Sequence, residues 1–236
     1  MTIRAMADAY EIAPDPVPPE LPGRVVLRIS ADEVIDAVLA DLLVQSMMAV
    51  RQFGECHIAL SPCVELAAVY RRLMYDPPLR AFPWEQTHLW VTIERGKDVQ
   101  WVSDWFVEHA GMPKSHVHPA TAGTDLSLLE QAMGVGTVRA TEDARLDFAL
   151  ISAAAPLRPA DGLGVYGDAG DGLALTQAVV NATRFVGVFG TGKGVRPRIV
   201  EAERAEGPLA SVRPNPGQLR WYLDGDAAGE TSGTQG

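Results

Sequence analysis

The sequence predicts an α/β fold: a doubly wound, mostly parallel sheet with helices on both faces, in a single domain. Three observations carry this. Apolar runs of strand length alternate with apolar residues at helical spacing along most of the chain. A capping box opens the first long helix. The 236 residues, 47% hydrophobic but only 7% aromatic, supply one large core built mainly from aliphatic side chains.

The elements follow in order. Residues 1–23 contain Pro14, Pro16, Pro18, Pro19 and Pro22 and read as an extended arm on the surface. The domain proper spans residues 24–224. Arg24-Val-Val-Leu-Arg-Ile29 suits a strand, and Ser30-Ala-Asp-Glu33 caps a helix whose Val34, Ile35, Val38, Leu39, Leu42 and Leu43 keep helical spacing. The alternation then repeats: strand 57–61 and helix 64–74, strand 87–92 and helix 99–110, a short strand near His116, helix 124–133, and strand 147–152. Gly162, Gly164, Gly167, Gly170 and Gly172 mark a loop or irregular hairpin. A helical or turn pattern at Gln177–Ala182, strand Arg184–Phe189, a helix from Val195 and strand Leu219–Leu223 complete the domain. Residues 225–236 are small and polar and read as a disordered tail.

Charge and composition exclude some functions. The net charge of −10 comes from 20 basic and 30 acidic side chains with no basic run, which removes the footprint of a nucleic-acid binder. No segment approaches the ~20 apolar residues that span a bilayer, and the first residues lack the apolar core of a signal peptide, so a cytoplasmic, membrane-free protein is expected. Cys56 and Cys63 sit at opposite ends of one strand-and-turn, too far apart for an unstrained disulfide, and read as free thiols.

Two glycine-rich motifs bear on ligand binding. Gly162-Leu-Gly164-Val-Tyr-Gly167 has dinucleotide-turn spacing, but it neither leaves a strand directly nor opens a helix, so it reads as a loop and no cofactor is expected. Gly190-Thr-Gly-Lys193-Gly194 imitates a phosphate loop except that Gly194 stands where a magnesium-binding hydroxyl belongs. It follows a strand, which leaves Lys193 as a candidate single anion contact. His116-Val-His118 alternates as a metal pair would, but no third ligand is evident nearby. No metal site is therefore expected, and His57, His88 and His109 read as ordinary strand or helix residues.

Several motifs, in order and at matching separations, resemble the 6-phosphogluconolactonase family, which is related to the glucosamine-6-phosphate isomerases. They are His57-Ile-Ala-Leu-Ser61, Val69-Tyr70, Trp84, His88-Leu-Trp-Val-Thr-Ile-Glu94-Arg95, Leu146-Asp-Phe-Ala-Leu-Ile151, Val180-Asn-Ala-Thr-Arg-Phe-Val186, Gly190-Thr-Gly-Lys193 and Gly217-Gln-Leu-Arg-Trp-Tyr-Leu-Asp224. The resemblance implies the family's α/β fold, a sugar-phosphate or other small-anion ligand, and no cofactor.

The family's site motifs are altered. Where the family carries Leu-Ser-Gly-Gly-Ser-Thr-Pro, this chain keeps Leu60 and Ser61 and then reads Pro62-Cys63-Val64-Glu65-Leu66. Proline lacks an N–H donor, Cβ atoms at 62 and 63 obstruct close approach of the backbone to a phosphate, and Glu65 puts a carboxylate at the first helical turn. The family's general-base histidine aligns with Arg158 without a gap, or with Leu163 if a five-residue insertion brings Asp161-Gly162 onto the Asp-Gly of the motif. Neither alignment supplies the base. Its Asp-Glu-Arg becomes Ile93-Glu94-Arg95.

The resemblance therefore implies two functions. One is a homologue with a degenerate site, binding a sugar phosphate or serving a regulatory or structural role, with Ser61, Arg95, Lys193 and Arg158 as ligand contacts. The other is a working lactonase that hydrolyses 6-phospho-D-glucono-1,5-lactone to 6-phosphogluconate in the pentose phosphate pathway, with Asp161 as a relocated base. Arg95 and Lys193 also have a plainer reading, an arginine paired with Glu94 or Asp98 and a solvated lysine.

Overall fold

The computed structural model describes residues 18–94, 98–120, 126–134, 140, 143–155, 157, 159–161, 164–170 and 172–229. Ten strands are assigned: β1 (Arg24–Arg28), β2 (Cys56–Leu60), β3 (Thr87–Val91), β4 (Ile93–Glu94), β5 (Val117–His118), β6 (Phe148–Ser152), β7 (Tyr166–Asp168), β8 (Leu173–Leu175), β9 (Phe185–Gly190) and β10 (Gln218–Asp224). The helices are α1 (Ala31–Phe53), α2 (Ala67–Tyr75), α3 (Asp98–Ala110), α4 (Leu126–Ala132), α5 (Gln177–Ala182), α6 (Arg196–Glu203) and α7 (Gly225–Ala228).

Seven strands form the main sheet in the order β1-β10-β9-β6-β2-β3-β5, and every pairing in it is parallel. Its central strands are mostly apolar because both faces are covered; β2, β6 and β9 are buried at every position, His57 and Ser152 included. On one face, α1 lays Val34, Ile35, Val38, Leu39 and Leu42 against Ile58, Leu60, Phe148 and Tyr222, together with Val69 and Leu73 of α2. Burial of each such aliphatic side chain contributes about 1.5–3 kcal/mol, so this face alone outweighs any single polar contact. On the other face Leu129, Val180, Ile199 and Ala227 of α4 to α7 pack on Ala59, Ala149, Val186 and Trp221.

The capping box forms with a shift of one residue. Ser30 Oγ accepts from the Glu33 N–H at 3.3 Å, while the Glu33 carboxylate reaches back to the N–H of Ile29 at 3.2 Å. Gly54, at φ 84, closes α1 in the left-handed conformation.

One segment takes the hairpin alternative of the sequence reading, and another departs from it. The glycine-rich stretch after β6 contributes β7 and β8, which join β4 in a separate three-stranded antiparallel sheet. Tyr166 ties it to the main sheet: its hydroxyl donates to the Val91 carbonyl at 2.9 Å and lies 3.3 Å from the Val91 N–H. The tail expected from Gly225 onward begins as a helical turn instead. The Asp224 carboxylate caps it by accepting from the Ala227 N–H at 2.8 Å, and Ala227 and Ala228 are buried, so this turn belongs to the packed domain. The described end of the proline-rich arm is tied down as well, since Trp221 Nε1 donates to the Pro22 carbonyl at 2.7 Å. Among the described residues no helix is long and apolar enough to cross a membrane.

Candidate functional site

From β2 the chain moves outward through β3 to β5, and from β6 it moves the other way through β9 and β10. The loops leaving the carboxyl ends of β2 and β6 therefore diverge, and the crevice between them is where an open α/β sheet holds a ligand. Ser61, Pro62 and Cys63 follow β2, Ala153 to Ala155 follow β6, and the turn at Gly192-Lys193 follows the neighbouring strand β9.

Ser61 is part of the floor of this crevice. It is buried; its hydroxyl pairs with Thr92 Oγ1 at 2.8 Å, its N–H donates to the Leu150 carbonyl at 3.1 Å, and its carbonyl accepts from the Tyr70 hydroxyl at 2.6 Å. Burial holds the Tyr70 phenol well above its usual pKa, so it stays a donor. Pro62 offers no donor, and the Cys63 N–H folds back to the Ser61 carbonyl at 2.9 Å. Burial pushes the Cys63 thiol up to about 11; a hydrogen bond with Ser152 opposes the shift and the Glu65 carboxylate adds to it. Cys63 is thus a protonated thiol at neutral pH, beside an exposed carboxylate.

The other two loops also satisfy themselves. Ser152 Oγ, fully buried, accepts from the N–H groups of Ala154 at 3.2 Å and Ala155 at 3.3 Å. The Gly192 N–H, presented at φ 77, is held by both carboxylate oxygens of Asp224, at 3.0 and 2.9 Å. Lys193 stands exposed on the short helical turn that follows and pairs with no carboxylate among the described residues.

Asp161 is exposed and lines an open cavity of about 580 Å³ with Ala160, Asp168, Gln177, Pro208 and Ser211. Asp168 in the same wall accepts from the Gly170 N–H at 2.7 Å. Arg95 and Arg158 lie outside the described residues. The fold thus brings Ser61, Cys63, Glu65 and Ser152 to the β2–β6 crevice, with Lys193 on the adjoining loop and Asp161 further along the chain that leaves β6.

No protein-family model matches the chain. The human GDH/6PGL endoplasmic bifunctional protein is 25% identical over 262 residues, covering 92% of this chain and 33% of its own length. Among solved structures, 6-phosphogluconolactonase from Thermotoga maritima superposes with a TM-score of 0.62 at 15% identity, covering 85% of this chain and 100% of that one. The chain therefore shares the fold of the 6-phosphogluconolactonases and is similar in sequence to the human bifunctional protein. A monomeric glucosamine-6-phosphate deaminase of the NagB superfamily shares the fold at a TM-score of 0.60 and 10% identity, over 87% of this chain and 98% of its own. The chain spans about a third of the length of the human relative it matches.

The structure places the histidines together. His57 and His88 are strand residues, as expected, whereas His116 and His118 do not share a strand: His116 ends a short helical turn, and only His118 belongs to β5. Parallel pairing sets His57 beside His88, and Trp90 beside His118. The missing third partner of His118 comes from strands distant in sequence. Burial, with the neighbouring imidazoles adding to it, lowers His88 to about 3 and His118 to about 4, so these rings are neutral at physiological pH.

Proposed function

We propose that this protein is a 6-phosphogluconolactonase-like homologue that does not accelerate lactone hydrolysis and whose crevice takes a sugar phosphate only weakly, in a binding or regulatory role. Lactone hydrolysis needs a poised base, donors for the oxyanion, and an anchor for the phosphate. One observation supports the reading above the others. The crevice-loop N–H groups of Cys63, Ala154, Ala155 and Gly192 are each taken by an acceptor of the protein itself. Moving any of them to an anion would first break a bond already made, whose net worth is about 0.5–1.5 kcal/mol. Glu65 and Asp161 are exposed carboxylates on the segments that follow β2 and β6, and an incoming anion would be repelled by both. The ligand that remains compatible is a small anion or sugar phosphate contacting Lys193 and Arg95, with Ser61 beneath the contact.

The second reading is a working lactonase of the pentose phosphate pathway. It is favoured by the exposure of Asp161 on an open cavity of about 580 Å³, where a carboxylate has room to activate water. The assay that separates the two measures consumption of 6-phospho-D-glucono-1,5-lactone against the spontaneous rate, for the wild-type chain and for Asp161→Ala. The expected result is the spontaneous rate for both. Wild-type turnover that Asp161→Ala abolishes would establish the lactonase instead.

A further inference from the structure

Away from the crevice, on the sheet face opposite α1, five aromatic rings stack, among them His116 on His88 with centroids 3.9 Å apart and planes 14° from parallel. His57 stacks on His88 with centroids 4.4 Å apart and planes 17° from parallel, and Trp90 stacks on His118 at 4.1 Å and 13°. The two stacks are joined edge to edge. Trp90 Nε1–H donates to His57 Nδ1 at 3.0 Å, and His88 Nδ1 lies 2.9 Å from His118 Nε2. At the far edge stands Glu55, with one carboxylate oxygen 3.1 Å from His57 Nε2 and the other 3.8 Å from His88 Nε2.

The indole N–H arriving at His57 Nδ1 puts the His57 proton on Nε2, the edge that Glu55 approaches to 3.1 Å. Between His88 Nδ1 and His118 Nε2 one ring donates and the other accepts, according to their tautomers. The lone pair of His57 Nδ1 is therefore turned away from Glu55, and the Nδ1 edge of His88 faces His118 Nε2. Asp147 holds the His57 backbone in this register: its carboxylate accepts from the His57 N–H at 2.8 Å, and its own N–H donates to the His57 carbonyl at 2.9 Å.

We propose that His57, His88 and His118 form a binding site for a divalent transition metal of the zinc class, with Glu55 as the outer carboxylate beside His57. The ligating atoms of the three residues lie within 4.8 Å of one another. Tetrahedral zinc–imidazole bonds of about 2.0–2.1 Å place nitrogens roughly 3.4 Å apart, so closure parts His88 Nδ1 and His118 Nε2 from 2.9 Å and tilts His57 out of its stack on His88 toward them. Metal entry moves the proton shared by His88 Nδ1 and His118 Nε2 to the far nitrogen of its own ring and displaces the Trp90 N–H from His57 Nδ1. A histidine that donates its remaining N–H to a carboxylate is the usual support for a metal-ligating imidazole. Three nitrogen donors leave a fourth position for water or a substrate atom. The site is reachable from solvent, since the His88 and Glu55 side chains are 14% and 21% exposed. Neutral imidazoles favour zinc, nickel, cobalt or copper over magnesium or calcium, which take oxygen ligands.

The test is titration of the untagged full chain with Co²⁺ and Zn²⁺, followed by calorimetry, visible absorption and tryptophan fluorescence. The expected result is one equivalent bound, a cobalt ligand-field spectrum, and quenching that Trp90→Phe removes. Glu55→Gln should weaken binding by about 10–100-fold, His88→Ala with His118→Ala should abolish it, and His109→Ala should leave it unchanged. No stoichiometric binding by the wild-type chain at 100 μM metal, or equal binding by the double histidine variant, would overturn the proposal. The wild-type titration decides even if a variant fails to fold.

Discussion

The β2–β6 crevice and the histidine stack on β2, β3 and β5 are built on the same strand, yet they treat their polar groups in opposite ways. In the crevice the donors are used up: Cys63, Ala154, Ala155 and Gly192 give their N–H groups to Ser61, Ser152 and Asp224. In the stack imidazole nitrogens gather: the Trp90 N–H fixes the His57 lone pair on Nδ1, and His88 Nδ1 meets His118 Nε2. The difference teaches that the position of a crevice, set by the topological switch point, is separable from the use a chain makes of the polar groups around it. The four crevice amides are bonded within the protein, while a patch of sheet face elsewhere gathers three imidazoles.

The largest expected effect breaks the stack. Trp90→Ala removes a buried indole, its stacking on His118 and its bond to His57, and should cost about 3–5 kcal/mol of stability, read from urea denaturation. A loss below 1 kcal/mol would mean that the ring is not packed as described. Next comes the crevice. Asp224→Ala removes the cap of α7 and releases the Gly192 N–H, so it should lower stability by about 1–2 kcal/mol in the same experiment and raise affinity for 6-phosphogluconate. Destabilisation without any gain in affinity would show that the freed amide does not face the ligand. Pro62→Gly combined with Glu65→Ser should also improve phosphate binding, by restoring a donor and removing a repelling carboxylate. Unchanged affinity by calorimetry would place the obstruction elsewhere.

The smallest effects sharpen the comparison through titration and charge. The Cys63 thiol, raised from 9.0 to about 11 in the folded protein, should alkylate slowly at neutral pH, with a rate that climbs through pH 11 in native protein. The same shift works against stability in alkali: the folded state keeps its proton while an unfolded thiol loses it, so stability present below pH 9 falls as pH rises toward 11. A Cys63 alkylation midpoint at 9 or below would contradict the buried, Glu65-flanked environment. Lys193→Ala, at an exposed and unpaired position, should change stability by less than about 0.5 kcal/mol.

Much of the fold was legible in the sequence. The alternation of strand and helix periods gave the parallel sheet, and Ser30 with Glu33 marked the start of α1 because capping is local chemistry. The side sheet was not legible as a sheet, since β4 is Ile93–Glu94 alone and β7 and β8 are three residues each, too short for a period to register. The helical turn of α7 hid in a small, polar composition, and only the Asp224 cap and the burial of Ala227 reveal it. At the site, the loss of donors at Pro62 could be read directly. That Ser61 pairs with Thr92, or Gly192 with Asp224, could not, because both partners depend on tertiary packing. The histidine stack needed the register of three parallel strands, which no spacing within one segment encodes.

The central claim is that the crevice amides stay bonded within the protein. Amide chemical shifts followed by ¹⁵N–¹H NMR during titration with 6-phosphogluconate test this most directly. The account predicts that the signals of Cys63, Ala154, Ala155 and Gly192 hold their positions, with any saturable change confined to the surroundings of Lys193. Large saturable downfield shifts of those four amides would contradict it.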